Sequence, residues 1–344
     1  MTKLHLLGLT LNELQDISVS CGLPKFAGKQ IADWIYKKGV ISIDDMTNIS
    51  LTNREKLSER YSVGRVAPID SQTSKDGTVK YLFKTLGGQL IEAVMIPDKE
   101  RVTLCVSSQA GCKFNCHFCM TGKQGFLGNL STNDILNQLY SIKEFEELTN
   151  IVFMGMGEPL DNYEQVKKAI DIVTSDYALG WSPKRITLST TGVVPRLKLF
   201  LDESEAHLAI SIHSAVSEQR LEIMPVEKAY PIKEVIGLLS EYDWSKQRRL
   251  SFEYIMFQGF NDSINHAKQL ASLLRGLDCR VNLIRFHEIP GVELKTSDQK
   301  MMEAFRDFLT SKRIVTTIRS SRGEDIFAAC GMLSTVKKDN KKAE

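Results

Sequence analysis

Residues 101–122 read RVTLCVSSQAGCKFNCHFCMTG: a strand-like apolar run, a short polar stretch, then Cys112, Cys116 and Cys119 within eight positions. The opening run starts a pattern that continues to the end of the chain. TNIVFMG, RITLSTT, HLAISIH, RLSFEYIMF, RVNLIRF and RIVTTIR follow as further strand-like runs. Amphipathic stretches such as STNDILNQLYSIKEF, with Ser131 as its N-cap, separate them. Strands that alternate with helices build a parallel sheet, so residues 98–331 are expected to form an α/β domain, a partial parallel (β/α)6 barrel. The three cysteines then stand in the loop after the first strand. That is the carboxyl-end face where such folds place their chemistry.

Upstream of this region the character changes. Residues 1–62 read as a small helical domain. LNELQDISVSCG stops at Gly22, and FAGKQIADWIYKKG sets Ile31, Trp34 and Ile35 on one face before Gly39 ends it. In residues 63–97, TVKYLFKTLGGQLIEAVMIP gives two alternating runs joined through Gly87 and Gly88, a β-hairpin signal expected to act as a linker. Residues 332–344 are expected to be a flexible basic tail.

With 42% hydrophobic and 25% charged residues and a net charge of +2, the composition is that of an ordinary globular protein, and it excludes a disordered chain. Polar residues from Asn12 to Asp16 interrupt any signal-peptide core, and no apolar run reaches membrane-spanning length. A cytoplasmic protein without a membrane partner is expected. The seven cysteines are odd in number and unevenly spaced, which in a reducing compartment favours metal ligation or catalysis over structural bridges. The runs KQRR (Lys246–Arg249) and KKDNKK (Lys337–Lys342) read as solvated charge.

The spacing C-x3-C-x2-C decides between metals. Zinc sites want four ligands in two pairs, and no second Cys or His pair completes one. Iron–sulfur cubanes are normally held by four thiolates; three leave one iron with an open position. In this loop and the strand ends after it, the chain resembles the radical S-adenosylmethionine enzymes. The resemblance implies a 4Fe-4S cluster on Cys112, Cys116 and Cys119, and S-adenosylmethionine on the open iron. Polar groups at successive strand ends fit that expectation: Gly157 and Glu158 in MGMGEP, Ser189 in TLSTTG, and Ser211, Ile212 and His213 in ISIHSA.

Within that superfamily the chain resembles the dual-specificity RNA methyltransferases that methylate C2 of adenine in 23S rRNA and in tRNA. The matching stretches are FAGKQIADWIYKKG, TLCVSSQAGC, NIVFMGMGEPL, RITLSTTGVVP, LAISIHSA, MPVEKAYPI, VNLIR and RGEDIFAACG, across roughly residues 26–331. The family likeness implies that Cys330 is methylated by one cofactor molecule and loses a hydrogen to the radical from a second. The resulting methylene radical adds to C2 and tethers enzyme to RNA. It further implies that Cys105 resolves the link, leaving a transient Cys105–Cys330 disulfide, and that Glu92 is a possible proton acceptor. On residue type alone, Cys105 reads as a buried strand thiol and Glu92 as a solvated edge residue. Cys21 and Cys279 match no motif and read as structural. The likeness also implies an electron donor such as flavodoxin or ferredoxin, and a monomer is expected. Lys25, Lys29, Lys37 and Lys38 around Trp34 and Tyr36 are expected to meet RNA phosphates, with a packed helical cap as the plainer reading.

Two positions depart from the family pattern. Met120 replaces a frequent alanine beside the third ligand, and His287 stands where the family has a cofactor-contacting asparagine. An imidazole can still donate one hydrogen bond, so the cofactor contact is expected to survive. Related C8 methyltransferases read SSQCGC and GMGEA where this chain has Ala110 and Pro159, which favours C2. A non-enzymatic zinc or iron–sulfur nucleic-acid-binding module is the reading from another class.

Overall fold

The computed structural model describes residues 3–245 and 248–335. Lys246 and Gln247 of the KQRR run, and residues 336–344 with the KKDNKK run, lie outside them.

The first sixty residues fold as β1 (Leu4–His5), α1 (Leu11–Ser20), α2 (Ala27–Ala32), α3 (Leu51–Arg60) and β2 (Tyr61–Ser62). Thr10 and Glu13 close a capping box on α1. A π turn, Asp33–Lys37, continues α2, so the apolar face drifts from the expected stripe. Ile31, Ile35 and Tyr36 are buried, whereas Trp34 is half-buried and donates from Nε1 to Asn48 Oδ1 at 2.5 Å. The Tyr36 hydroxyl donates to Leu9 O at 2.6 Å. Tyr36 is therefore a core residue, a correction to its expected place beside the exposed lysines.

Three antiparallel strands follow, β3 (Asp70–Thr73), β4 (Val79–Lys84) and β5 (Leu90–Asp98). They continue into β6 (Arg101–Cys105), β9 (Asn150–Phe153), β10 (Ile186–Thr190), β11 (His207–Ser211), β12 (Leu250–Met256), β13 (Arg280–Arg285) and β14 (Val315–Ile318), separated from β6 in sequence by the short hairpin β7 (Gln109–Gly111) and β8 (Phe126–Asn129). One ten-stranded sheet results, in the order β14-β13-β12-β11-β10-β9-β6-β5-β4-β3. The seven strands from β6 to β14 are parallel. Six crossovers join them, through α4 (Met120–Gln124) and α5 (Thr132–Tyr140), then α6 (Tyr163–Thr174), α7 (Val194–Glu203), α8 (Ser217–Ile223) with α9 (Ile232–Leu239), α10 (Ile264–Leu273) and α11 (Gln299–Ser311). The sheet is open, because β14 and β3 do not pair. The 63–97 segment is thus an antiparallel wing of the barrel sheet, hydrogen-bonded through β5 to β6.

Parallel strands covered on both faces need continuous apolar runs, and β12, LSFEYIM, is buried along its whole length. Glu253 within it is the exception and faces inward. After β14 the chain turns back through left-handed residues at Gly323, Phe327 and Gly331 and crosses the open side of the sheet. Arg322 pairs with Asp98 at 3.3 Å, Asp76 accepts from Gly323 N at 3.0 Å, and Asp325 accepts from Ser74 Oγ at 2.6 Å. The antiparallel wing therefore anchors the segment that carries Cys330.

The Asp76 carboxyl is held down at about 2 against an ordinary 3.8; burial opposes ionisation, and the amides of Gly323 and Thr78 outweigh it. A depressed folded value adds stability above pH 3.8 that is lost as pH falls through about 2. Amide exchange protection at Gly323 is therefore expected to fall across that window, and Asp76→Asn is expected to remove the pH dependence.

Candidate active site

The three clustered thiols, Cys112, Cys116 and Cys119, are placed by a loop under tight steric control. A Cβ on Gly111 would stand 1.7 Å from Gly125 O, and Gly111 has φ +75°. Only glycine fits there. Cys112 N then donates to Gly125 O at 3.1 Å, Asn115 adopts φ 49°, and Cys119 N donates to Cys116 O at 3.1 Å. Burial pushes the Cys112 thiol up to about 12, and Cys119 adds to it. Cys116 is raised further by burial and then by Cys119 and Cys112. Three thiols that disfavour one another's charge are a donor set for a cationic partner, and metal binding deprotonates such thiols outright. Among the described residues no three His, Cys, Asp or Glu side chains are grouped to share one metal ion. A cubane places each thiolate on its own iron and so suits thiols spread around a larger centre. The residues fit a 4Fe-4S cluster.

Glu158, expected to hold an ammonium group, is buried at the end of β9, and its carboxylate is filled from within the chain. Oε1 accepts from Leu160 N at 3.0 Å and Thr190 Oγ1 at 2.6 Å; Oε2 accepts from Thr191 N at 2.8 Å and Thr191 Oγ1 at 3.0 Å. It ties the ends of β9 and β10 together. Gly157 is left-handed at φ +96°, and a Cβ there would meet the Gln109 side chain at 2.4 Å. Gln109 itself bridges Glu158 N, Asn129 and Asp161. Ser189 and Ser211 are half-buried within β10 and β11. Ile212 and His213 follow β11, both buried. His213 accepts from Ile255 N through Nδ1 at 3.0 Å, meets the Phe118 ring edge-on at 4.8 Å, and is held neutral at about 3 by burial and then Arg220.

Arg220 escaped the sequence reading. It is fully buried and donates to the carbonyls of Ile212, Thr191 and Ser211, the strand ends expected to carry the cofactor. Its charge partner is Glu227 of MPVEKAYPI. Nothing in a seven-residue separation on a surface-like helix signals this, because the pair forms only when α8 folds under β11. Arg220→Leu strands the Glu227 charge, whose Oε1 already lacks a partner. A loss of about 3–5 kcal/mol is expected in urea unfolding, with much of it recovered by adding Glu227→Leu.

Cys330 reaches the centre through backbone ties. Met120 N donates to Gly331 O at 2.8 Å, Thr121 Oγ1 to Leu333 O at 2.7 Å, and Gln124 Nε2 to Thr335 Oγ1 at 2.6 Å. Residues 332–335 are therefore docked against α4, and the expected tail does not begin at 332. Met120, with its main chain so engaged, packs its side chain against the apolar group that holds Cys116. Cys330 is solvent-accessible yet lines the concave interior of the barrel. Surrounding protein raises its pKa, while Arg319 favours the thiolate.

Cys105 is buried at the end of β6 and pushed up to about 12, by burial first and then by the neighbouring Cys330. Cys330 in turn feels Cys119. The fold thus brings Cys330 within electrostatic reach of Cys105 and Cys119, in keeping with the bond from Met120 N to Gly331 O. Arg319, the last residue of RIVTTIR, reaches Glu253 at 3.2 Å and acts on both Cys105 and Cys330. Cys279 is buried away from this centre.

Glu92 is buried, not an edge residue in solvent. Lys80 lies at 3.2 Å from Oε1, and Ser334 N donates to Oε2 at 3.0 Å. Burial raises its pKa, and Lys80 opposes the rise. His287 lines the same interior but is engaged locally: Nε2 meets Ser321 Oγ at 3.0 Å, and Nδ1 lies 3.8 Å from Glu324.

Comparison with known proteins adds three findings. The Radical SAM superfamily profile matches residues 106–271, and the "Ribosomal RNA large subunit methyltransferase N-terminal domain" profile matches residues 4–63. The chain is 60% identical over 339 residues to a "Probable dual-specificity RNA methyltransferase RlmN" of Bacteroides fragilis (strain YCH46), covering 98% of each chain. It is 40% identical to the "Dual-specificity RNA methyltransferase RlmN" of Syntrophus aciditrophicus (strain SB) over 97% of each. Among solved structures, a radical SAM methyltransferase from Sphaerobacter thermophilus superposes with a TM-score of 0.91 at 37% identity, covering 96% of this chain and 99% of that one.

Proposed function

The chain belongs to the RlmN family of dual-specificity RNA methyltransferases in the radical SAM superfamily, and from that premise we propose that it methylates C2 of adenine in 23S rRNA and in tRNA. The observation that carries the proposal is the docking of the Cys330 segment next to Cys119, with Met120 N donating to Gly331 O at 2.8 Å, and with Cys105 near enough for Cys330 to raise its pKa. Adenine C2 is not nucleophilic, so a methyl carbon has to be activated before it can bond there. When bound, the cluster and S-adenosylmethionine supply the methyl group and the radical chemistry.

Cys112, Cys116 and Cys119 would hold the cluster. Gly157, Ser189 and the Ser211–His213 strand end would hold the cofactor, with Glu158 fixing the geometry of the loop. Cys330 carries the methyl carbon, since its sulfur is the accessible thiol beside the centre, and it becomes the point of attachment to RNA. Cys105 starts as a thiol at neutral pH because of its burial. Arg319 favours the thiolate of both cysteines, so it holds the anion once a proton is lost. Attack of that thiolate on the Cys330 sulfur breaks the carbon–sulfur link: the bonding pair leaves with the methylene carbon, which takes a proton and becomes the methyl group of the freed base, and the two sulfurs remain oxidised as a Cys105–Cys330 disulfide, which small thiols reduce.

Removal of the C2 proton falls to Cys105 after it has given up its own proton, and the proton it takes is passed on to the carbon that leaves Cys330, so that the Cys105 sulfur is free to attack. Glu92 already accepts from Lys80 and Ser334, a placement that suits fixing the Cys330 segment. His287 would need to leave Ser321 to meet the cofactor. The exposed Lys25, Lys29, Lys37 and Lys38 suit contact with RNA phosphates. Within the same reading the electron comes from a donor such as flavodoxin or ferredoxin, and the chain works as a monomer in the cytoplasm. Among the described residues no helix is long and apolar enough to cross a membrane.

Mass spectrometry of adenosines from rRNA and tRNA, in cells with and without the protein, tests the proposal. 2-Methyladenosine that depends on the gene is expected; 8-methyladenosine in its place would overturn the C2 reading.

A further inference from the structure

A cavity of about 460 Å³ runs through the barrel interior from Cys330 to the opposite, amino-terminal mouth. Its wall is mixed along the way, with Thr103, Ser251, Asn282 and Thr317 beside the apolar Val152, Met154 and Ile284. Pockets of about 300–1,000 Å³ accept drug-sized ligands, so one nucleoside fits. At the carboxyl end the wall is made by Ala328, Ala329 and Cys330, whose segment is tied down on α4 and on Glu92. A base cannot pass there without undocking the methyl-carrying residue itself.

The other mouth has a different character. Arg101 begins β6, Arg249 immediately precedes β12, and Arg280 begins β13 and pairs in register with Ser251. Arg101 and Arg280 are exposed, and Arg249 is half-buried. No carboxylate pairs with any of the three within 4.0 Å among the described residues. The two acids that line the cavity are engaged elsewhere, Asp98 with Arg322 and Glu253 with Arg319. Five lining arginines less two carboxylates leave a net charge of +3. Arg249 is held below the ordinary arginine value, by burial first and then by Arg280 and Arg101 nearby, with Glu253 opposing them in part. Guanidiniums that crowd one another with no carboxylate in ion-pair contact are stabilised by an anion that completes them, and their planar forks match phosphate oxygens.

Resting on the methyltransferase reading above, we propose that the target adenosine enters the barrel through its amino-terminal mouth, and that Arg101, Arg249 and Arg280 clamp the RNA phosphates flanking it. The extruded base then lies along this channel, between its apolar and its hydrogen-bonding side chains, with its C2 edge toward Cys330, while the backbone stays outside on the arginines. An RNA backbone fits better than a free small anion because the three cations rim the opening while the channel behind them is sized for a nucleoside. These are positioning residues; they meet phosphate and leave the reacting atoms to Cys105 and Cys330.

The test uses the full chain and an adenine-loop RNA hairpin with 2-aminopurine at the target position. Binding is read by anisotropy across a salt series, and extrusion by 2-aminopurine fluorescence. Arg249→Gln and Arg280→Gln are each expected to weaken binding about tenfold and to reduce the log–log salt slope by about 0.7–0.9, one phosphate contact's worth. Ser251→Trp, which fills the channel, is expected to leave binding intact and abolish the fluorescence rise. Unchanged affinity and slope in both arginine variants, with loss confined to Lys29→Gln and Lys38→Gln, would overturn the clamp. A fluorescence rise that survives a folded Ser251→Trp would overturn the route. Should the wild-type chain make no 2-methyladenosine, the methylation reading fails instead, and the binding data still judge the clamp.

Discussion

Cys330→Ala is expected to lower RNA methylation by more than about a thousandfold, the scale on which enzymes lose an essential nucleophile. The reason is geometric as well as chemical. Cys330 is the accessible thiol at the centre, and the segment around it is held by backbone bonds, Met120 N to Gly331 O and Ser334 N to Glu92. Removing one exposed side chain leaves those bonds in place, so folding stability is expected to stay within about 0.5 kcal/mol. Cys112, Cys116 and Cys119 are untouched, and 5′-deoxyadenosine is expected to form still in the reconstituted, reduced variant. Chromatography with mass detection reads both products in one sample. Full methylation by this variant would sink the thioether route, whereas loss of both products would point to cluster damage and require iron quantification before any conclusion about Cys330.

With Cys105→Ala the expectation is an accumulated protein–RNA adduct. Of the other thiols, Cys119 is one of the three proposed to hold the cluster, and Cys279 is buried just before β13. The adduct is a thioether, so it should survive reducing gel electrophoresis, approach one RNA per protein, and vanish on ribonuclease treatment. Cys105 packs within β6 opposite Val94 of β5 and Val152 of β9. Trimming its sulfur costs about 1 kcal/mol, too little to unfold the chain. The double variant Cys105→Ala with Cys330→Ala should give no adduct, which separates covalent trapping from tight binding. Clean turnover by Cys105→Ala would remove it from the resolving role.

How much of this was legible beforehand depends on the range of the interactions involved. All seven parallel strands stand where the strand-like runs placed them, because buried parallel strands must be written as apolar runs. The cluster loop was equally legible, since its ligands lie within eight residues and its turns demand glycine at Gly111. Ser131 caps α5 as the sequence suggested, and the structure adds Asp134 as its capping-box partner. Local chemistry announces itself locally.

Other features were hidden or misread. In sequence Tyr36 stands with Trp34 among the lysines expected to meet RNA, but the π turn carries it into the core. Glu92 looked like a solvated edge residue because the sequence does not say that β4 supplies Lys80 and the far C-terminus supplies Ser334. The hairpin looked like a linker because strand pairing between β5 and β6 is a tertiary fact. Arg220, fully buried against three carbonyls and Glu227, carries no signal in a helix of mixed composition.

From sequence alone came the kind of centre this protein holds: three clustered thiols, the strand ends that face them, and a family likeness that named Cys105 and Cys330. Hydrophobic period and short-range spacing encode such things directly. Only the folded chain decided that those two thiols come within electrostatic reach of each other, that Arg319 acts on both, and that three arginines without an ion pair among the described residues line one end of the barrel cavity. Each of these depends on side chains brought together from distant strands. Electrostatic fields and cavities are properties of that assembly, and no window of the sequence contains them.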